Sequence, residues 1–159
     1  MLGHLWSLLP FGPSPAYRLN LFSAFTSTLA LVFVYQTVVT LARRRPSLAG
    51  WTAAIALGTA TTFWAQATTT NIRSLTGLFT AMTLYFLVRF GRSVPSSDKA
   101  AGQVPNDRWL ILAAATLGFG ITHHVSLAFL ALVAVVYVFR PTAPCGAHHA
   151  AGSGRSWLG

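Results

Sequence analysis

Four apolar stretches, Leu19–Leu41, Leu48–Trp64, Leu75–Phe90 and Leu110–Phe139, divide this chain, with its polar residues gathered between them. A helix needs about 20 apolar residues to cross roughly 30 Å of hydrocarbon. The first stretch supplies 23 before Arg43, Arg44 and Arg45 close it. Lipid is the solvent that suits so much continuous apolar surface. The pattern therefore predicts an all-α, polytopic transmembrane helical bundle.

Ahead of the first span, Pro10, Gly12, Pro13 and Pro15 interrupt a short apolar segment. Its start, Leu2–Leu9, predicts one or two turns of interfacial helix with Trp6 at headgroup level. Pro15 then opens the turn into the span. After Arg45-Pro46, Ser47 is the expected cap of the next helix. Leu48–Trp64 is rich in Ala, Thr and Gly, residues that let helices approach closely in lipid. Ala65–Ser74 carries Gln66, Asn71 and Arg73 and reads as a membrane-edge turn. Leu75–Phe90 returns through the bilayer, and Gly91–Arg108 reads as a water-facing loop.

The last stretch, Trp109–Phe139, has 31 residues. As one helix it would be about 46 Å long, more than the hydrocarbon thickness. Gly118-Phe119-Gly120 and His123-His124 lie near its middle, where two imidazoles would be costly. The expectation is two short helices, Trp109–Ile121 and Val125–Phe139, each roughly 20 Å long, with the histidines at a membrane face. The bundle then has about five membrane-crossing helices, the last two short.

Charge counting favours the same division. With five crossings, Arg43–Arg45, Arg89, Arg92, Lys99, Arg108, Arg140 and Arg155 share one side, leaving only Arg18 and Arg73 on the other. With four crossings, Arg140 and Arg155 change sides. The positive-inside rule selects the first arrangement and puts the N-terminus outside.

Composition narrows the function classes. Hydrophobic residues make up 53% of the 159, and charged residues 8%, against about 25% in a soluble domain. The formal charge is +9, but no basic face with interleaved aromatics accompanies it, so no nucleic acid partner is expected. Cys145 is the only cysteine, which excludes an internal disulfide or a zinc framework. No metal site and no cofactor are expected. No basic n-region precedes Leu19, and the run that follows is too long for a signal peptide. Residues 1–140 read as the membrane-embedded region, a partial domain, and 141–159 as a disordered tail.

Candidate chemistry gathers on the outer side. Gln66, Asn71 and Arg73 fall in the second outer turn, and His123 and His124 in the third. Outer-edge polar groups from separate helices suit a phosphate headgroup or a sugar. Arg73 has the guanidinium geometry that pairs with phosphate, and a histidine can donate hydrogen bonds or carry a proton. Plainer roles stand beside these: Arg73 snorkelling to headgroups, and Asn20 and Gln66 bonding between helices. Asp98 and Asp107 are the only acids, and both fall on the inner side. Group transfer from a lipid carrier wants a carboxylate base or metal ligand on the outer side, so no catalytic residue is assigned. No P-loop or GxSxG elbow is present.

Three segments carry a family resemblance. The first is Leu2-Gly3-His4-Leu5-Trp6-Ser7-Leu8-Leu9-Pro10 with Tyr17-Arg18-Leu19-Asn20-Leu21-Phe22-Ser23-Ala24. The second is Phe63-Trp64-Ala65-Gln66-Ala67 with Ser74-Leu75-Thr76-Gly77-Leu78-Phe79. The third is Gly118-Phe119-Gly120-Ile121-Thr122-His123-His124-Val125-Ser126-Leu127. In this order they resemble a bacterial family of polytopic membrane proteins related to protein O-mannosyltransferases, of the GT-C glycosyltransferase superfamily. The resemblance spans Met1 to Arg140. It implies an enzyme of the bacterial cytoplasmic membrane that moves a mannose-like sugar from a polyprenyl-phosphate carrier on the outer face. In such families an acidic motif of the Asp-Ser-Gly-Glu kind precedes the segment where this chain begins. A family acidic position corresponds to Asn71.

The expectation is therefore an N-terminally truncated glycosyltransferase-like fragment, inactive alone. Membrane lipid and a polyprenyl-phosphate sugar are its expected partners. A non-enzymatic small membrane protein, a transporter subunit or assembly partner, is the competing class. A transporter would want ionisable groups near mid-membrane or inverted repeats, and neither is evident.

Overall fold

In hydrocarbon every backbone N–H and C=O must be paired within the chain, which leaves helices as the economical solution. The structure is a computed structural model that describes residues 2–8, 10, 14–69, 72–93 and 107–139. Seven helices form among the described residues: α1 (Leu2–Ser7), α2 (Pro15–Leu41), α3 (Pro46–Gly58), α4 (Thr61–Thr68), α5 (Ile72–Ser93), α6 (Asp107–His123) and α7 (Leu127–Phe139). Two of them, Pro15–Leu41 and the Arg73–Ser93 part of α5, are long and apolar enough to cross a membrane. Large apolar side chains face outward along the bundle, with Val125 78%, Phe129 74% and Phe139 79% exposed. Such a surface suits lipid, and the chain is an integral membrane helical bundle.

Contacts fix the direction of each helix. Gly50 lies against Tyr35 and Val39, and Gly58 against Leu31, so α3 runs back along α2. Ala30 packs with Leu75, Leu78 and Ala81, and Phe33 meets Tyr85 and Phe86, so α5 runs parallel to α2. Thr83 bonds Thr116 and Phe86 stacks on Trp109, so α6 is antiparallel to α5. Gly120 lies against Leu127, and Gly91 against Tyr137, so α7 folds back along α6. One end of the bundle thus holds the C-termini of α2, α5 and α7 and the N-termini of α3 and α6. We call it the arginine end, since Arg43–Arg45, Arg89, Arg92 and Arg108 are there. The opposite end holds the starts of α2, α5 and α7 and the end of α6.

The central seam is α2 against α5. Ser23, Thr26, Ser27 and Ala30 are buried on α2, at the i, i+3, i+4, i+7 spacing of one helix face. Opposite them, Leu75, Leu78 and Ala81 of α5 are buried, with Phe22, Phe33 and Met82 packed around them. Lipid tails are as apolar as leucine, so close packing and polar contacts must hold helices together. Small residues on α2 permit that approach. The Thr26 hydroxyl is satisfied locally: its Oγ1 donates to the Phe22 and Ser23 carbonyls at 3.0 and 3.1 Å. Further along, Thr40 Oγ1 donates to the Gln36 carbonyl at 2.7 Å. Between α5 and α6, fully buried Thr83 meets Thr116 at 3.2 Å. Such interhelical bonds contribute about 0.6–2 kcal/mol.

Several boundaries differ from the expected ones. The expected single span Leu48–Trp64 is two helices broken at Thr59 and Ala60. Thr59 Oγ1 and N–H both turn back to the Ile55 carbonyl, at 2.8 and 2.9 Å, and Ala60 is extended with ψ 128. Threonines beside Gly58 make that stretch a weak helix whose hydroxyls compete for carbonyls. The expected turn Ala65–Ser74 shrinks, because α4 runs to Thr68 and α5 starts at Ile72. Ser47 does not cap α3. Pro46 takes the first helical position, with Arg45 before it at φ 43, the one positive φ outside glycine among the described residues. Proline's fixed φ and missing N–H suit that position. Ser14 caps α2 instead, accepting from the Tyr17 N–H at 3.3 Å.

The polar loop expected over Gly91–Arg108 is helical at both edges, and its centre, 94–106, lies outside the described residues. So does the tail, 141–159. The split of the last stretch is as expected. His124, Val125 and Ser126 separate α6 from α7.

A Cβ at Gly50 would stand 2.7 Å from Tyr35 and Val39 carbons, whereas nothing lies within 4 Å of one at Gly77. Gly50→Leu should therefore cost about 1–3 kcal/mol by overpacking. Gly77→Ala should be neutral or stabilising by up to about 1 kcal/mol. Thermal unfolding of the purified chain in detergent, followed by tryptophan fluorescence, checks both. Equal midpoints for the two variants would contradict the α2–α3 packing described.

Candidate functional site

The end opposite the arginines collects polar side chains from separate helices. Arg18, Asn20 and Ser23 come from the first turns of α2, Gln66 from α4, and Arg73, Ser74 and Thr76 from the first turns of α5. Each of these seven is engaged by a neighbour. Ser23 and Ser74 are buried, Gln66 is half-buried and Arg73 is exposed. Thus α2, α4 and α5 bring polar side chains to this end of the bundle, away from the arginine end.

Arg18 also has an architectural role. Its Nη1 donates to the Ser7 carbonyl at 2.8 Å, which satisfies an orphan carbonyl at the end of α1. Trp6 completes the junction, with its ring centroid 5.4 Å from Phe22 and 5.6 Å from Phe25. Trp6 therefore packs on α2, which closes α1 over the start of that helix.

The sequence candidates separate into groups. Gln66 sits on the last turn of α4, in a helix where a turn was expected. Arg73 sits in the first turn of α5, where the segment is close enough for α4 to touch α5. Asn71 lies between them and outside the described residues.

His123 ends α6, and His124 begins the turn to α7. His124 Nδ1 lies 2.6 Å from Ser126 Oγ and accepts from the Ser126 N–H at 3.3 Å. One of its ring nitrogens thus fastens the turn. That fastening explains how the chain reverses in three residues without a glycine. His123 is half-buried, and its Nε2 is buried with no hydrogen-bond partner among the described residues. The histidines share the polar end with Gln66 and Arg73, yet among the described residues no hydrogen bond joins them to either.

Asp107 opens α6, beside Trp109 at the arginine end, so it is a bundle length away from the polar end. Asp98 lies outside the described residues. Among the described residues no three His, Cys, Asp or Glu side chains converge. The polar end can offer guanidinium, carboxamide, hydroxyl and imidazole groups. These are groups that bind phosphate and sugar hydroxyls.

The sequence points to Gln66, Asn71, Arg73 and the histidines, but not to Ser23, Ser74 or Thr76. Ser23 carried a usable signal, since it starts the small-residue spacing continued by Thr26, Ser27 and Ala30. Ser74 and Thr76 carried none, because their burial depends on which face α5 turns to α2.

A family model described as the protein O-mannosyl-transferase TMEM260 N-terminal domain matches residues 1–143. No curated protein and no solved structure matches the chain.

Cysteines introduced at Gln66 and His124, in a Cys145→Ser background, should react with an impermeant maleimide from the same face of sealed vesicles. A cysteine at Arg44 should react only from the other face. Labelling of positions 44 and 124 from one face would break the antiparallel order of α5, α6 and α7.

Proposed function

Because the chain belongs to the family of protein O-mannosyltransferase N-terminal domains, we propose that its polar end holds the donor of a membrane glycosyl transfer. The donor in this reading is a mannose-like sugar on a polyprenyl phosphate, in the outer leaflet of a bacterial cytoplasmic membrane. The observation that carries the reading is the gathering of Gln66 and Arg73 from separate helices at the end away from the arginine cluster. The positive-inside rule assigns the arginine end to the cytoplasm, which turns the polar end outward.

In this reading Arg73 pairs with the carrier phosphate. A guanidinium offers a planar fork of donors to phosphate oxygens, and charge-assisted bonds of this kind are about twice as strong as neutral ones. Gln66 and Asn71 supply amide groups to the sugar. His124 keeps the α6–α7 turn in place and so positions its neighbour. The polyprenyl tail lies along the apolar outer surface of the bundle.

Acid–base work is assigned to no residue of this chain. Glycosyl transfer to a hydroxyl needs a base to take the acceptor proton. Of the two carboxylates in the sequence, Asp107 is at the wrong end. The reading is thus of donor binding, with the acceptor's base unassigned.

The purified full chain in nanodiscs should crosslink to a photoreactive polyprenyl-phosphate mannose. Arg73→Ala should lower labelling about tenfold, since a charge-assisted hydrogen bond contributes about 1.5–3 kcal/mol. Polyprenyl phosphate should compete, and unphosphorylated polyprenol should not. Undiminished labelling of the alanine variant, or equal competition by the alcohol, would remove the carrier-phosphate reading.

A further inference from the structure

The arginine end has a second polar feature, independent of the reading of the opposite end. A cavity of about 430 Å³ opens between α2, α5 and α6, lined by Gln36, Val39, Thr40, Arg89, Arg92, Ser93 and Trp109. Arg89 and Arg92 are three residues apart on α5 and so share a helix face. The Arg89 guanidinium lies 4.7 Å from the centre of the Trp109 ring. That cation–π contact restrains the side chain and lowers the entropy lost when it binds.

Free hydrogen-bond donors in this cavity are strongly biased toward the cations. Thr40 Oγ1 gives its proton to the Gln36 carbonyl at 2.7 Å. Ser93 Oγ gives its proton to the Phe90 carbonyl at 2.7 Å. The remaining donors are the two guanidiniums, the Gln36 carboxamide and the Trp109 indole N–H. Among the described residues no carboxylate forms an ion pair with Arg89 or Arg92, although Asp107 begins the neighbouring helix. Two cations facing one cavity repel each other and are stabilised by an anion placed between them.

Orientation in the bilayer does not explain this arrangement. Arg43, Arg44 and Arg45 lie on the same cationic side without lining the cavity, whereas Arg89 and Arg92, also exposed, do line it. Arg89 and Arg92 differ in being aimed at a volume that a headgroup fills. Basic recesses between membrane helices on the cytoplasmic side are physically suited to anionic headgroups.

We propose that the cavity between α2, α5 and α6 is a binding site for a phosphate group, held by Arg89 and Arg92 with Gln36 at its rim. The phosphate comes from an anionic phospholipid of the adjacent leaflet or from a soluble phosphate ester. Both sources present the same oxygens to the guanidiniums.

Native mass spectrometry of the full chain, released from nanodiscs, reads the site directly. Wild type should retain phosphatidylglycerol over phosphatidylcholine by about tenfold or more, and Arg89→Gln/Arg92→Gln should lose that preference. Arg43→Gln/Arg44→Gln should keep it within about threefold. Arg89→Lys/Arg92→Lys, which keeps the charges but not the forks, should retain part of it. Displacement of the lipid by millimolar inorganic phosphate supports the site with a soluble ligand as its source, and resistance to phosphate supports the lipid. Should wild type favour neither phosphatidylglycerol nor inorganic phosphate, the proposal is overturned, whether or not the glutamine variant folds. An equal loss in the Arg43/Arg44 variant also overturns it, since attraction to the whole cationic surface then suffices.

Discussion

The close approach of α2 to α5 is the contact on which the remaining architecture rests. Between helices in hydrocarbon there is little water to expel, so association depends on how closely backbones and side chains meet. The α2 face of Ser23, Thr26, Ser27 and Ala30 allows that approach, and the apolar face of α5 fills it. The Thr26 hydroxyl carries little penalty because it bonds to carbonyls of its own helix. Once α2 and α5 lie parallel, α3 and α4 cover one side of α2, and α6 docks on α5 through Thr83 and Trp109. The outer helices are little enclosed: α3 buries only Gly50, α4 buries no residue, and α7 buries only Leu127 and Ala134.

This order of packing separates the chemistry into two ends. Every reversal of the chain carries polar residues to a terminus of the bundle, because mid-membrane positions tolerate few of them. One end receives Arg18, Gln66, Arg73 and the two histidines, and the other receives most of the cations. The same physical rule therefore yields both the candidate donor site and the proposed phosphate site. Their ligands would meet the protein from opposite leaflets. The two sites differ in character: the first mixes amide, hydroxyl and imidazole groups around a single exposed guanidinium. The second concentrates two guanidiniums on one cavity.

Local backbone chemistry explains most places where the helices begin and end. Pro15 and Pro46 both occupy first-turn positions, where a missing N–H costs nothing. Thr59 and the His124–Ser126 pair stop helices by drawing side-chain and backbone bonds back on themselves. Gln66 illustrates the limit of reading polarity as a turn. A glutamine on the last turn of a helix is as polar as one in a loop, and only the bonds of α4 distinguish them.

The sequence by itself determined the class of the fold, because unbroken apolar stretches bounded by arginines have one stable solvent and one economical backbone form. It also determined the split of Trp109–Phe139, since a histidine pair cannot be left cheaply in hydrocarbon. It indicated which end Arg73 and the histidines share, because helix ends follow from the number of crossings. Tertiary structure alone decided the burial of Ser74 and Thr83 and the cavity that Arg89, Arg92 and Trp109 line. Those features depend on the rotation of each helix about its axis. On a helix that is apolar all round, no hydrophobic stripe marks the inward face. Rotation is then set by which neighbours fit against small residues and hydroxyls, information held by pairs of helices and by no single stretch of sequence.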